Sequence, residues 1–166
     1  QRSHLFVFLK DRFRVLLARI GLTPYYFPSI FYKKEADSTK WNVTTQMAKR
    51  IHQEFQRFNT PVLFVLLPTD YQVYPQLLSK YIKMFGIHPE EIDLEQPNRI
   101  LASRFLEKSI SVVDMLPVFV QKAQKDVRLY GRIDNHLNAQ GHLVVAEALF
   151  PQIEQILKPK LNSRGG

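Results

Sequence analysis

Asp134 and His136 stand two residues apart in "YGRIDNHLNAQGHLVVAEAL", just before a stretch with helical apolar spacing. Acyl transfer by a serine needs a nucleophile, a His to take its proton, and an acid to hold that His in one tautomer. An Asp-x-His loop can supply the second and third together, because two residues of extended backbone turn both side chains to one face. Asp134 would then accept from one imidazole nitrogen, and His136 would offer the other to a serine. By itself D-x-H is a common triplet, and an Asp-Asn turn before a helix, with His136 merely exposed, accounts for it more readily. The flanking residues add weight. Asn138 has the side chain of an N-cap, Gly141 gives the first helical turn room, and the apolar run Leu143–Leu149 can anchor the loop.

A metal site from Asp134, His136 and His142 is the competing chemistry. The two histidines are six residues apart across a helix start, not at the i, i+4 spacing of a helical zinc pair, so no metal or cofactor is expected. The chain contains no cysteine, which removes disulfides and thiolate sites. Its net charge is +8, but the basic residues are scattered from Arg2 to Lys160. That distribution reads as a solvated basic surface, and nucleic acid is not an expected partner.

The elements that must position the pair follow from periodicity. Residues 5–20 place Phe6, Leu9, Phe13, Leu16, Leu17 and Ile20 on one helical stripe, ended by Gly21 and Pro24. Residues 22–40 read as an irregular surface loop. Residues 41–58 form a second amphipathic helix with Val43, Met47, Ile51, Phe55 and Phe58 on its inner stripe, and His52 at the surface. "PVLFVLLP", Pro61 to Pro68, reads as a strand buried on both faces, of the kind found in parallel sheets covered by helices. Residues 75–85 and 97–108 are helical, Ser109–Leu116 is a shorter strand, and a helix from Asn138 closes the chain. Pro151 implies a kink or a new helix, and residues 159–166 read as a flexible tail. Val62–Leu67 and Ser111–Asp114 should pair in parallel, since the helices between them give a crossover.

Helix, strand, helices, strand, helix is an α/β rhythm, yet two strands are few for a doubly wound sheet. From Trp41 onward the order resembles the SGNH/GDSL-type hydrolases, in particular bacterial members with a long insertion before the penultimate strand. "WNVTTQMAKRIHQEFQRFNTPVLFVLLPTDYQVYP" resembles their helix, strand and Pro-containing loop. "SVVDMLPVF" resembles their last strand, and "LYGRIDNHLNAQGHLVVAEAL" their Asp–His block and C-terminal helix. "SHLFVFLKDRFRVLL" is similar to the helix that begins their insertion.

The resemblance implies the C-terminal part of a flavodoxin-like, three-layer α/β fold with a parallel sheet. Residues 1–40 would be the amphipathic helix and insertion loop, residues 41–158 the C-terminal part of the hydrolase domain, and 159–166 the tail. It also implies that Asp134 orients and His136 acts as general base, although the spacing is D-x-H and not the D-x-x-H of many members. The family's Gly-Asp-Ser block and its further oxyanion blocks are not found in the sequence. Together with a first residue that is Gln and not Met, this gives the expectation of a fragment or processed product whose N-terminal segment carries the nucleophile.

Expected partners are an ester or acylated small-molecule or carbohydrate substrate, that missing segment, and a second copy at the open sheet edge. The resemblance favours a bacterial exported or periplasmic location. The alternative is a non-catalytic hydrolase-like interaction domain, or a basic module that binds anions.

Overall fold

The computed structural model describes residues 13, 16–17, 27–131 and 135–162, with 84–85 and 159–162 described by backbone alone. Of the helix expected over 5–20, Phe13, Leu16 and Leu17 are described and helical. The rest of that helix lies outside the described residues, as does Asp134.

Six helices and two strands are named here: α1 (Thr39–Gln56), β1 (Phe64–Leu66), α2 (Asp70–Val73), α3 (Pro75–Phe85), α4 (Gln96–Leu106), β2 (Val112–Asp114), α5 (Leu116–Ala123) and α6 (Ala139–Asn162). β1 and β2 pair in parallel, with Phe64 opposite Val112, Val65 opposite Val113 and Leu66 opposite Asp114. This is the pairing the sequence predicts, over shorter strands.

The period-2 alternation of a strand explains the layers. Phe64 and Val112 turn to one side and pack with Ala48, Phe105 and Ile110, from α1, α4 and the residues after α4. Val65 and Val113 turn to the other side, against Met115, Phe119, Leu129 and Val144. The sheet therefore lies between α1 and α4 on one face and α5 and α6 on the other, a three-layer α/β arrangement. Because β1 and β2 are only half-buried, the strand expected to be buried on both faces is less covered than that. The open edge of β1 has no partner strand among the described residues.

α1 corrects the sequence reading. Its buried residues are Trp41, Thr45 and Ala48, while Val43, Met47, Ile51, Phe55 and Phe58 are exposed, between 43% and 72%. The helix is held by a narrow face. Trp41 Nε1 donates to the Glu35 carbonyl at 2.7 Å, and Thr45 Oγ1 donates to the Trp41 carbonyl at 2.7 Å. With its hydroxyl satisfied, Thr45 can be buried. His52, expected at the surface, is half-buried.

Residues 27–38 also differ from the expected surface loop. Phe27 and Phe31 are buried and form a cluster with Tyr71, Ile87 and Ile92. Phe27, Phe31 and Tyr71 meet pairwise with ring centroids 5.4–5.5 Å apart. Aromatic rings supply enough apolar area to bury an irregular segment that lacks helical periodicity. At the other end, α6 runs through Pro151 without a break. One missing N–H does not end a helix that keeps its other bonds.

Candidate active site

The described residues on either side of positions 132–134 form two stems joined by antiparallel backbone contacts. Tyr130 and Leu137 form an antiparallel bridge. The Asn138 amide donates to the Leu129 carbonyl at 3.0 Å, and the Gly131 amide donates to the His136 carbonyl at 2.9 Å. One stem is deeply set, with Leu129 and Tyr130 buried. His136 lies on the other stem and is exposed. Residues 132–134 lie outside the described residues, so the geometry here is that of the stems and of His136.

Asn138 joins the loop to α6, in the capping role the sequence predicts. Its side-chain oxygen accepts the Gly141 amide at 2.9 Å, while its NH2 group donates to the carbonyls of Arg128 at 2.8 Å and Tyr130 at 3.3 Å. Gly141 is required by space. A Cβ there would sit 2.2 Å from the Leu129 carbonyl oxygen and 3.2 Å from Leu137 Cβ. Val144, one turn further along α6, is fully buried, and His142 is an exposed first-turn residue.

Two tyrosines connect this loop to the rest of the domain. The buried Tyr130 hydroxyl donates to the Pro68 carbonyl at 2.7 Å, just past the C-terminal end of β1. The Tyr74 hydroxyl donates to the Val127 carbonyl and accepts the Leu129 amide, each at 2.9 Å. The two rings meet edge-on at 6.1 Å. Burial holds the Tyr130 phenol protonated well above the usual tyrosine range.

A chain of polar side chains crosses the same end of the sheet. The Gln72 side-chain oxygen accepts the Thr69 amide at 2.8 Å, closing a capping box on α2. Gln72 Nε2 donates to the Leu94 carbonyl at 2.7 Å and to Asn98 Oδ1 at 3.0 Å. Asn98 Nδ2 donates to Asp114 Oδ1 at 2.6 Å, and that oxygen also accepts the Leu116 amide at 3.0 Å. Asp114, the last residue of β2, thus locks the start of α5. Asp70 is buried beside this chain with Oδ1 accepting the Tyr71 amide at 2.8 Å. Burial raises its carboxyl above the usual range.

A cavity of about 290 Å³ opens beneath the loop, with Asp70, Tyr74, Arg128, Tyr130 and Gly131 among its lining residues. A larger, polar groove of about 570 Å³ lies between α1 and α4, where Asn42, Arg99, Ser103 and Arg104 contribute. It is on the face opposite the loop's α5–α6 side. In open parallel sheets ligands bind outside the C-terminal ends of the strands. The smaller cavity meets that rule, since it is lined by Asp70, four residues past the end of β1, and by Tyr130 and Gly131 of the first stem.

Of the sequence-predicted residues, His136, Asn138 and Gly141 come together on this loop. Among the described residues no group of three or more His, Asp or Glu is disposed to hold a metal ion. The tyrosine anchors and the Gln72–Asn98–Asp114 chain are not evident from sequence. Tyr74 and Tyr130 are 53 to 62 residues from the carbonyls they donate to, and no local spacing encodes such a contact. The one available signal is a Tyr placed directly before Pro75 and another directly before Gly131, where polar tips meet irregular backbone.

The profile of the family described as "SGNH hydrolase-like domain, acetyltransferase AlgX" matches residues 25–165. The chain belongs to this SGNH hydrolase-like family. No curated protein and no solved structure matches it. Membership fits the three-layer α/β arrangement and a hydrolase- or acyltransferase-like function.

Proposed function

We propose that this domain supplies the acid and the base of a Ser-His-Asp triad in a serine esterase or acyltransferase. His136 takes the proton of the attacking serine and returns it to the leaving group, while Asp134 holds the imidazole in one tautomer. The acyl group passes to the serine and then to water or to an acceptor hydroxyl. The observation that carries the reading is the loop of His136, closed at its stems and tied by Tyr130 to the end of β1.

The nucleophile and oxyanion donors would come from residues outside this chain. In support, Ser38 caps α1, Ser79 Oγ donates to the Pro75 carbonyl, and Ser103 Oγ donates to Glu107. Ser29 Oγ accepts from Lys40, and Ser109 and Ser111 precede β2, at the far end of the strand from the loop. The proposed substrate is an ester, as an acylated small molecule or carbohydrate, handled in an exported or periplasmic protein. The open edge of β1 suits the serine-bearing segment or a second copy. The exposed apolar stripe of α1 favours a second reading, a hydrolase-like interaction domain without chemistry.

Hydrolysis of 4-nitrophenyl acetate separates the two readings. The isolated chain should be nearly inactive, the full-length protein active, His136→Ala in it inactive, and Asp134→Asn weakly active. Loss of a triad member costs about three or more powers of ten. Full activity in His136→Ala would remove this assignment. Turnover by the isolated chain, lost on changing one of its own serines, would put the nucleophile inside it.

A further inference from the structure

We propose that Tyr74 and Tyr130 are positioning residues for His136, a hydroxyl clamp that sets the height of its loop above the strand ends. This rests on the functional reading above and adds to it. Both hydroxyls act on backbone, not on side chains. Tyr74 spans two residues of the first stem, donating to the Val127 carbonyl and accepting the Leu129 amide, each at 2.9 Å. Leu129 is therefore gripped on both sides, because its own carbonyl accepts the Asn138 amide at 3.0 Å. Tyr130 hooks the next residue down to the Pro68 carbonyl at 2.7 Å, and its neighbour Gly131 donates to the His136 carbonyl at 2.9 Å.

Two short chains of hydrogen bonds thus end on the stem of the base. One runs from Tyr74 through Leu129 to Asn138, and the other from Pro68 through Tyr130 and Gly131 to His136. The anchors themselves are rigid. Tyr74 sits at the corner between α2 and α3, its amide donating to the Asp70 carbonyl at 2.8 Å and Pro75 following. Tyr130 is wedged between the Tyr74 and Phe119 rings, at 6.1 Å and 6.0 Å. A general base must be held within hydrogen-bond reach of the proton it removes, so a small displacement of its loop slows chemistry more than it weakens binding.

The test uses the full-length protein, 4-nitrophenyl acetate, and the variants Tyr130→Phe and Tyr74→Phe, which keep the rings and remove the hydroxyls. Rates are normalised to the fraction of enzyme that reacts with a serine-directed fluorophosphonate, so a partly folded sample is not counted as slow. Each variant should lower kcat about five- to tenfold with KM unchanged, the loss expected for one hydrogen bond felt in the transition state. Hydrogen exchange of the Gly131 amide should speed up in Tyr130→Phe.

Unchanged normalised kcat and unchanged Gly131 protection in both variants would overturn the clamp. So would a loss carried by KM alone. If one variant does not fold, the other decides. His136→Ala, run alongside, keeps the two ideas apart. Its full activity would remove the triad assignment, whereas an inactive His136→Ala with fully active tyrosine variants would remove the clamp alone.

Discussion

Asn138 accepts the Gly141 amide at 2.9 Å with its side-chain oxygen, while its NH2 group donates to the Arg128 and Tyr130 carbonyls. One side chain therefore caps α6 and holds the first stem of the His136 loop. Asn138→Ala should cost about 1–2 kcal/mol, the usual cost of a lost cap, with a further loss from two carbonyls left without a donor. Asn138→Ser keeps a capping oxygen and removes the NH2 donors without setting a charge against those carbonyls, so its stability should lie between wild type and Asn138→Ala. Urea unfolding of the three proteins checks the order. Equal stability of Asn138→Ser and Asn138→Ala would mean that the cap contributes nothing.

Gly141 gives a prediction whose sign is unusual. Within an exposed helix, Gly→Ala is stabilising by about 1 kcal/mol. Here the new Cβ would stand 2.2 Å from the Leu129 carbonyl oxygen, and that oxygen is fixed by the Asn138 amide. The clash should outweigh propensity, so Gly141→Ala should destabilise by about 2–4 kcal/mol, in the range of overpacking within a rigid site. A thermal melt at or above that of the wild type would show that the loop stem yields.

α1 predicts a contrast between its two faces. Trp41 is 3% exposed and bonded to Glu35, so Trp41→Ala should cost about 3–5 kcal/mol. Phe55 is 47% exposed, and Phe55→Ala in the isolated chain should stay within about 0.5 kcal/mol of the wild type. Chemical denaturation of both variants measures the difference. A large cost at Phe55 would mean that its stripe is covered in solution.

That contrast also shows what the sequence makes legible. The pairing of β1 with β2 could be read because a short apolar run between prolines, a crossover and a second run leave few alternatives. The boundaries of α3 and the cap at Asn138 could be read because Pro75, Gly86 and Asn138 act locally. Hydrophobicity alone selects Val43, Met47 and Phe55 as the inner face of α1, and these are exposed. The helix packs instead through Trp41, Thr45 and Ala48, and the burial of Thr45 depends on a bond to its own backbone. The aromatic core around Phe27, Phe31 and Tyr71 was hidden in an aperiodic segment. At the site, His136, Asn138 and Gly141 are legible together because they are neighbours in sequence. Tyr74, Gln72 and Asn98 reach it through distant chain crossings.

The buried phenols should make the stability of the fold fall at alkaline pH. Burial pushes the Tyr71 hydroxyl up to about 12, and it raises that of Tyr130 further. An unfolded tyrosine titrates near about 10. Both groups are therefore raised in the folded state, which binds more protons than the unfolded chain above that pH. By linkage, their contribution to stability is complete below about pH 10 and is lost as pH rises from there through the folded-state values. For Tyr130 the loss has a structural counterpart, because a phenolate cannot donate to the Pro68 carbonyl and would repel it. Tyr71→Phe removes one titrating group and keeps the aromatic cluster with Phe27 and Phe31. Its unfolding midpoint should therefore fall less steeply than that of the wild type between pH 10 and pH 12, while the two stay parallel between pH 7 and pH 9. Urea midpoints across that range, followed by circular dichroism, measure this. Identical slopes above pH 10 would mean that the Tyr71 hydroxyl is open to solvent and titrates as it does in the unfolded chain.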